Sequence, residues 1–240
     1  MPQKTATPVK QEQFDCKYIN SHTPTATTLK GQIIILGNAY GVMPYQNPLA
    51  NEFANAGYES HWFPLRGQEE MPGEFSISNG RQDLANAVKF AKSSSSIPEK
   101  PLTILAHCAT SLITIEYLLS QNSTPVKSVI FYGLLAQPQR LRKKAELRLE
   151  KAGVRSALSD DDWNYPTADK LVELNNRQIP MLFCYAEDPI NRRRSTSSEL
   201  QEITGLLPLS SLHPLEQSYD FNNDNVPTAV SKYLDWLDHI

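Results

Sequence analysis

Residues 101–119, PLTILAHCATSLITIEYLL, constrain this chain more than any other stretch. Leu102, Ile104 and Leu105 make a short apolar run that breaks at Ala106-His107-Cys108-Ala109-Thr110. Leu112, Ile113, Ile115, Tyr117, Leu118 and Leu119 then recur at helical spacing. A change of period over five residues calls for a strand, one sharp turn and a helix. The small residues Ala106 and Thr110 flank the turn and leave room for it to be tight. A cysteine at this point lies at a helix N-terminus, whose partial positive charge favours the thiolate. Taken alone, a cysteine closing an apolar strand also reads as a small buried hydrophobe. The rest of the chain has to decide.

The remaining segments alternate in kind. The run 32–36 (QIIIL), ended by Gly37, is rich in isoleucine, as in a strand covered on both faces of a parallel sheet. Helical spacing over 48–56 stops at Gly57, a C-terminal helix signal. Strands are expected at 58–63, 126–132, 179–185 and 206–215, and helices at 83–92, 138–152, 197–204 and 227–237. This alternation predicts an α/β fold with right-handed crossovers and a mainly parallel central sheet, helices on both faces. The 240 residues suit one sizeable domain, placed at 29–240 with a small cap insertion at about 134–178. Residues 1–28, rich in Thr, Pro, Gln and Lys, are expected to be a flexible lead-in, with 14–19 a short edge strand within it.

The stretch AHCATSLITIEYLL resembles the nucleophile elbow of the α/β-hydrolase superfamily, usually written G-x-S-x-G, with cysteine in place of serine. Three further segments carry the resemblance, in the family's order. IIILGNAYG is similar to the strand and loop that supply the oxyanion hole, with Leu36-Gly37 where His-Gly is usual. LANEFANAGYESHWFPLRGQ resembles the next helix and strand, with Pro64 where Asp is common. IPMLFCYAEDP resembles the strand delivering the acid of a catalytic triad, which places Asp188 in that role. Cysteine elbows occur in dienelactone hydrolases and polyhydroxyalkanoate synthases, which act on activated esters or thioesters.

Acyl transfer needs a nucleophile, a base, a group to orient the base, and donors for the developing oxyanion. The resemblance implies Cys108, then Asp188, then a histidine, with the backbone N–H groups of Asn38 and Ala109 as donors. Of five histidines, His22 lies in the lead-in, His61 precedes the elbow, His107 points away from the nucleophile, and His239 is penultimate. Only His213 follows Asp188 before the last helix. The family histidine sits shortly before that helix, where this chain has Ser218-Tyr219-Asp220-Phe221. His213 as base, and Asp220 in the histidine's place with the triad broken, both stay open.

Charge narrows the function classes. A net charge of −3 gives no pull toward nucleic acid or anionic membrane, and no apolar run approaches a membrane span. Cys16, Cys108 and Cys184 are too few and scattered for a disulfide framework or zinc site. With no apolar leader segment, a cytoplasmic location is expected. Arg140, Arg142, Lys143, Lys144, Arg148 and Lys151 crowd one helix. With Glu146 and Glu150 interleaved and Leu141, Ala145, Leu149 and Ala152 as a buried stripe, they read first as a solvated face. Recognition of a phosphate, a carboxylate or a phosphopantetheine carrier is the other reading. Arg192-Arg193-Arg194 lies near the expected mouth, and Asp160-Asp161-Asp162 reads as a helix N-cap region. Leu134, Leu135, Trp163 and Tyr165 are candidate walls of an acyl pocket.

The expected function is therefore acyl hydrolysis or acyl transfer (a thioesterase, for example). It would act on a small-molecule ester or thioester, free or carrier-bound, through an acyl-cysteine, with no metal or organic cofactor. The rival expectation is a catalytically degenerate chain of the same fold that binds or scaffolds, or a non-hydrolytic enzyme using the same pocket.

Overall fold

The computed structural model describes residues 9–12, 19–24, 28–41, 44–69, 71–186, 197–215 and 225–240. Eight strands form one sheet in the order β1-β2-β4-β3-β5-β6-β7-β8. β3 (Gly31–Leu36) and β5 (Leu102–His107) lie at its centre and are buried at every position. β4 (Tyr58–Trp62), β6 (Val126–Tyr132), β7 (Met181–Ala186) and β8 (Ser210–Leu215) flank them, all in parallel pairing. Parallel strands covered on both sides need apolar residues at successive positions, which is why Ile33, Ile34 and Ile35 occur in a row.

Odd and even positions feed two cores. Ile33, Ile35, Leu105 and Ile130 face α1 (Gln46–Asn55) and α8 (Val226–Leu237), which pack on each other. Ile34, Ile104, Val129 and Phe131 face α2 (Ile77–Ser94), α3 (Thr110–Ser120) and α6 (Thr167–Asn175). α2 and α3 approach so closely at Gly80 that a Cβ there would lie 2.3 Å from Ile113 Cδ1. α4 (Arg142–Lys151) follows a 3-10 turn at Pro138–Leu141, α5 is the short helix Asp160–Trp163, and α7 is Ser197–Gly205. The acidic triplet caps as expected: the Ser159 hydroxyl accepts from the Asp162 N–H, and the Ser159 N–H donates to Asp162 Oδ2.

Two sequence expectations are modified. β1 (Val9–Glu12) and β2 (Ile19–His22) lie within the stretch read as a lead-in, yet they extend the sheet antiparallel beyond β4. Only residue 19 of the expected edge strand at 14–19 is among the described residues. Within 134–178, α4 and α5 rise over the strand ends, but α6 packs on α3 and belongs to the helical layer. The raised part is pinned by backbone bonds: Phe75 N–H to Arg155 O (2.6 Å), Ala157 N–H to Phe75 O (2.8 Å) and Arg155 N–H to Gly67 O (3.0 Å).

Two buried histidines mark the seam between β2 and its neighbours. His22 Nδ1 lies 2.9 Å from Asn51 Oδ1, and His61 Nδ1 lies 2.9 Å from Ser21 Oγ. Burial, reinforced by His22 nearby, pushes the His61 imidazole down to about 4 from its ordinary 6.5. In the unfolded chain His61 binds its proton near pH 6.5, whereas the folded chain resists it until about 4, so stability is fullest above pH 6.5. It should fall by about 3 kcal/mol as pH drops through that window. Urea titrations at pH 7 and pH 4.5 should show this slope reduced in His61→Gln, beyond the change in acidic residues common to both proteins.

Candidate active site

The elbow is built as its sequence requires. β5 ends at His107, α3 begins at Thr110, and Cys108 between them takes φ +60°. That left-handed conformation costs a non-glycine residue of order 1–3 kcal/mol and persists only where its surroundings over-determine it. Here the Cys108 N–H donates to Tyr132 O (2.9 Å), and its carbonyl accepts from the Ser111 N–H (3.0 Å). Thr110 Oγ1 clamps the other side, accepting from the His107 N–H (3.0 Å) and donating to His107 O (2.9 Å).

Two backbone donors follow the ends of β3 and β5, which pair side by side at Leu36 and Ala106. The N–H groups of Ala109 and Asn38 make no hydrogen bond among the described residues. The loop carrying Asn38 is held by a residue that the sequence reading missed. Gln68, 2% exposed, donates from Nε2 to the carbonyls of Asn38 (3.1 Å) and Ala39 (3.0 Å), while its Oε1 accepts from the Leu65 N–H (2.9 Å). No motif marks Gln68. Its signal in the sequence is only a polar residue just after the Leu65-Arg66-Gly67 turn.

Cys108 and Ala109 line a cleft that leaves about 50 Å3 to the centres of water-sized molecules. Its floor is apolar (Phe75, Ile77, Leu112, Leu135), and α4 with Trp163 forms the far wall. Of the four walls expected, Leu135 and Trp163 line the cleft. Leu134 and Tyr165 instead join the core, where the Tyr165 hydroxyl donates to Glu116 Oε1 (2.8 Å). α4 is also more than a solvated face. Leu141, Lys144, Ala145, Arg148 and Leu149 all line the cleft, so its basic side and its apolar stripe meet there.

Asp188, Asp220, the arginines at 192–194 and Cys16 lie outside the described residues. His213 lies within β8, in register with Cys184, which pairs with Tyr132, which pairs with His107. Three strand spacings put its backbone about 14 Å from that of His107. Side chains stand roughly perpendicular to a sheet, so a mid-strand histidine does not bridge that gap. The physical reason is the extent of β8: it runs to Leu215 and keeps His213 inside the ladder rather than in the loop after it. Residues 216–224 include no histidine. His107 turns to the opposite face, as expected, with Nδ1 on the Tyr45 hydroxyl and its ring 4.9 Å from that of Tyr132. No group of three His, Cys, Asp or Glu side chains suited to a metal occurs among the described residues, and no described helix is long and apolar enough to cross a membrane.

Comparison with solved structures finds the same fold in several hydrolases. A monoglyceride lipase from Saccharomyces cerevisiae superposes with a TM-score of 0.70 at 16% identity, over 99% of this chain and 96% of that one. A metagenomic α/β-hydrolase from lagoon sediments of Mar Chica, Morocco, gives 0.68 at 13% identity, over 97% and 98%. The thioesterase domain of the curacin biosynthetic pathway gives 0.61 at 14%, over 96% and 100%. The chain has the α/β-hydrolase fold. No protein-family model matches its sequence, and no curated protein matches it. At these identities the likeness extends to the fold, and the site has to be argued from its own residues.

Cys108 and Cys184 are both buried, but Cys108 lines the cleft and Cys184 does not. Cys184 is buried in β7 beside Tyr233, and burial pushes its thiol far above the ordinary value. Peptide mapping after brief treatment with iodoacetamide at pH 8 should find Cys108 modified and Cys184 untouched until the protein is unfolded. Equal modification of the two in the folded protein would remove Cys108 from the site.

Proposed function

We propose that this α/β-hydrolase-fold protein is an acyl hydrolase or acyltransferase working through an acyl-cysteine at Cys108 on an ester or thioester. The observation that carries the reading is the placement of Cys108 at a positive-φ turn lining a largely apolar cleft, with the Ala109 and Asn38 N–H groups uncommitted among the described residues. The thiolate would attack the substrate carbonyl carbon, forming a C–S bond while the carbonyl oxygen takes the negative charge. Donors aimed at that oxygen stabilise the tetrahedral intermediate. Its collapse expels the alcohol or thiol, which takes up a proton, and leaves a thioester on Cys108. Water or another acceptor then attacks the thioester, the C–S bond breaks, and the thiol is restored.

Asp188 and His213 are the acid and base in this reading. The mid-strand position of His213 means that the end of β8 would have to open for the imidazole to reach the thiol. A cysteine depends less on such a base than a serine does, because the thiol ionises near neutral pH and the α3 N-terminus favours its anion. The position of His213 also favours a second reading, in which Asp220 stands in the histidine's place and the cleft binds without turnover.

Intact-mass measurement after incubation with p-nitrophenyl butyrate separates the two. The proposal expects one butyryl adduct in the native protein and none in Cys108→Ala. Gln68→Leu, which frees the loop bearing Asn38, should slow acylation by about 10²–10³ while leaving ligand binding intact, as for loss of one oxyanion donor. His213→Ala should slow it by a further ~10²–10⁴ if it serves as base. An alkylation inflection for Cys108 well above pH 8, unchanged in His213→Ala and with no adduct, would leave the binding reading standing.

A further inference from the structure

The cleft over Cys108 is apolar at its floor but cationic along one wall, a combination that acyl transfer itself does not require. Two positive side chains, Lys144 and Arg148, line it from α4 at positions one turn apart. Two other cations of this segment are paired: Arg140 with Glu199 (2.6 Å), and Arg142 with both Glu146 (2.9 Å) and Asp160 (2.6 Å). Arg148 forms no ion pair among the described residues. Its guanidinium instead lies 5.8 Å from the centre of the Tyr40 ring, on the loop that follows Asn38. Among the described residues the one carboxylate lining the cleft is Asp162, whose Oδ2 accepts from the Ser159 N–H in the cap of α5. The cationic wall is also held in place, since the end of the α4 segment is tied to the 67–75 loop through Arg155, Phe75 and Ala157.

We propose that this cleft selects an anionic amphiphile: a ligand whose chain lies on Leu112, Leu135, Leu149 and Trp163 while its carboxylate or phosphate group is held by Lys144 and Arg148. An aliphatic chain matches the apolar floor, and a guanidinium fixed over an aromatic ring presents N–H donors to an anion with little loss of side-chain freedom. Arg148 thereby marks the end of the cleft nearest the oxyanion loop, and Lys144 supplies a second charge one turn away. The assignment deepens the acyl-transfer reading by naming a substrate class, but the binding it describes does not depend on turnover at Cys108.

Calorimetric titration of the full chain and of Cys108→Ala with decanoate, decyl phosphate and decanamide tests it. Both proteins should bind an anionic ligand about tenfold or more tightly than decanamide, the effect of one charge-assisted hydrogen bond. The better of decanoate and decyl phosphate identifies the anion. In Lys144→Gln/Arg148→Gln the preference should vanish while decanamide binding is retained, and Arg148→Lys should restore part of it. Thermal melting of each variant checks that the fold survives. Equal affinity for the three ligands in the native protein, or an anion preference unchanged in the double variant, overturns the assignment. An anion preference in both proteins, with no butyryl adduct formed by the native one, would fault the catalytic reading and leave this one intact.

Discussion

The left-handed turn at Cys108 is the constraint on which the functional part of the molecule depends. A side chain held at φ +60° is lifted out of the strand and clear of the following helix, which sets its sulfur above the sheet edge. Nothing in a lone pentapeptide holds such a conformation. It is imposed by β5, locked between β3 and β6, by the bond from the Cys108 N–H to Tyr132 O, and by Thr110 closing on the backbone of His107. The strain is thus met by the two cores on either side of the sheet, whose Ile, Leu and Phe side chains fix where β5 ends and α3 begins.

From that fixed point the site grows by local contacts. Gln68 ties the Asn38 loop to the turn after β4, and Arg66 in that turn donates through Nε to Asp83 Oδ1 (2.6 Å) and through its N–H to Asp83 Oδ2 (3.0 Å). Asp83 is fully buried on α2, so this ion pair carries the position of the turn into the helical layer. The wall of the cleft is registered against the same loop by the Phe75–Arg155 bonds. The two donors, the thiol and the cleft wall therefore share one chain of contacts, and a substitution at Gln68 or Asp83 reaches the cleft without touching a ligand.

Much of the fold was legible in the residues because its strongest determinants are local. The isoleucine run of β3, the period change at Ala106 and the glycine after α1 each specify an element with little help from the rest. What escaped was non-local. β1 and β2 carry few apolar residues and gain their place by pairing with the edge at β4, so composition alone read them as a lead-in. The last strand was expected at 206–215, and pairing with β7 confines it to Ser210–Leu215 with His213 inside the ladder. Within the site, the elbow was visible as a motif, whereas Gln68 and the inward side of α4 were not. A carboxamide bonded to two carbonyls leaves no periodic mark, and a basic helix looks the same whether its charges meet water or a cleft.

A cysteine nucleophile, as proposed, would fit what the sheet leaves around it. In a serine elbow the hydroxyl must lose its proton to an adjacent base during attack, so displacing that base by a few ångströms stops the reaction. A thiol close to neutral in its ionisation carries part of its reactive form without help, and a helix N-terminus adds to that share. The fold places Cys108 at the start of α3, an eleven-residue helix with no acidic residue in its first turn to offset the field. An anionic ligand in the cleft would oppose thiolate formation by simple repulsion. Lys144 and Arg148 answer that repulsion from the opposite wall, so the same two cations that would hold a carboxylate or phosphate also limit its effect on the thiol. A cysteine at the elbow and a basic wall facing it are thus two parts of one electrostatic arrangement, coherent together and less so apart.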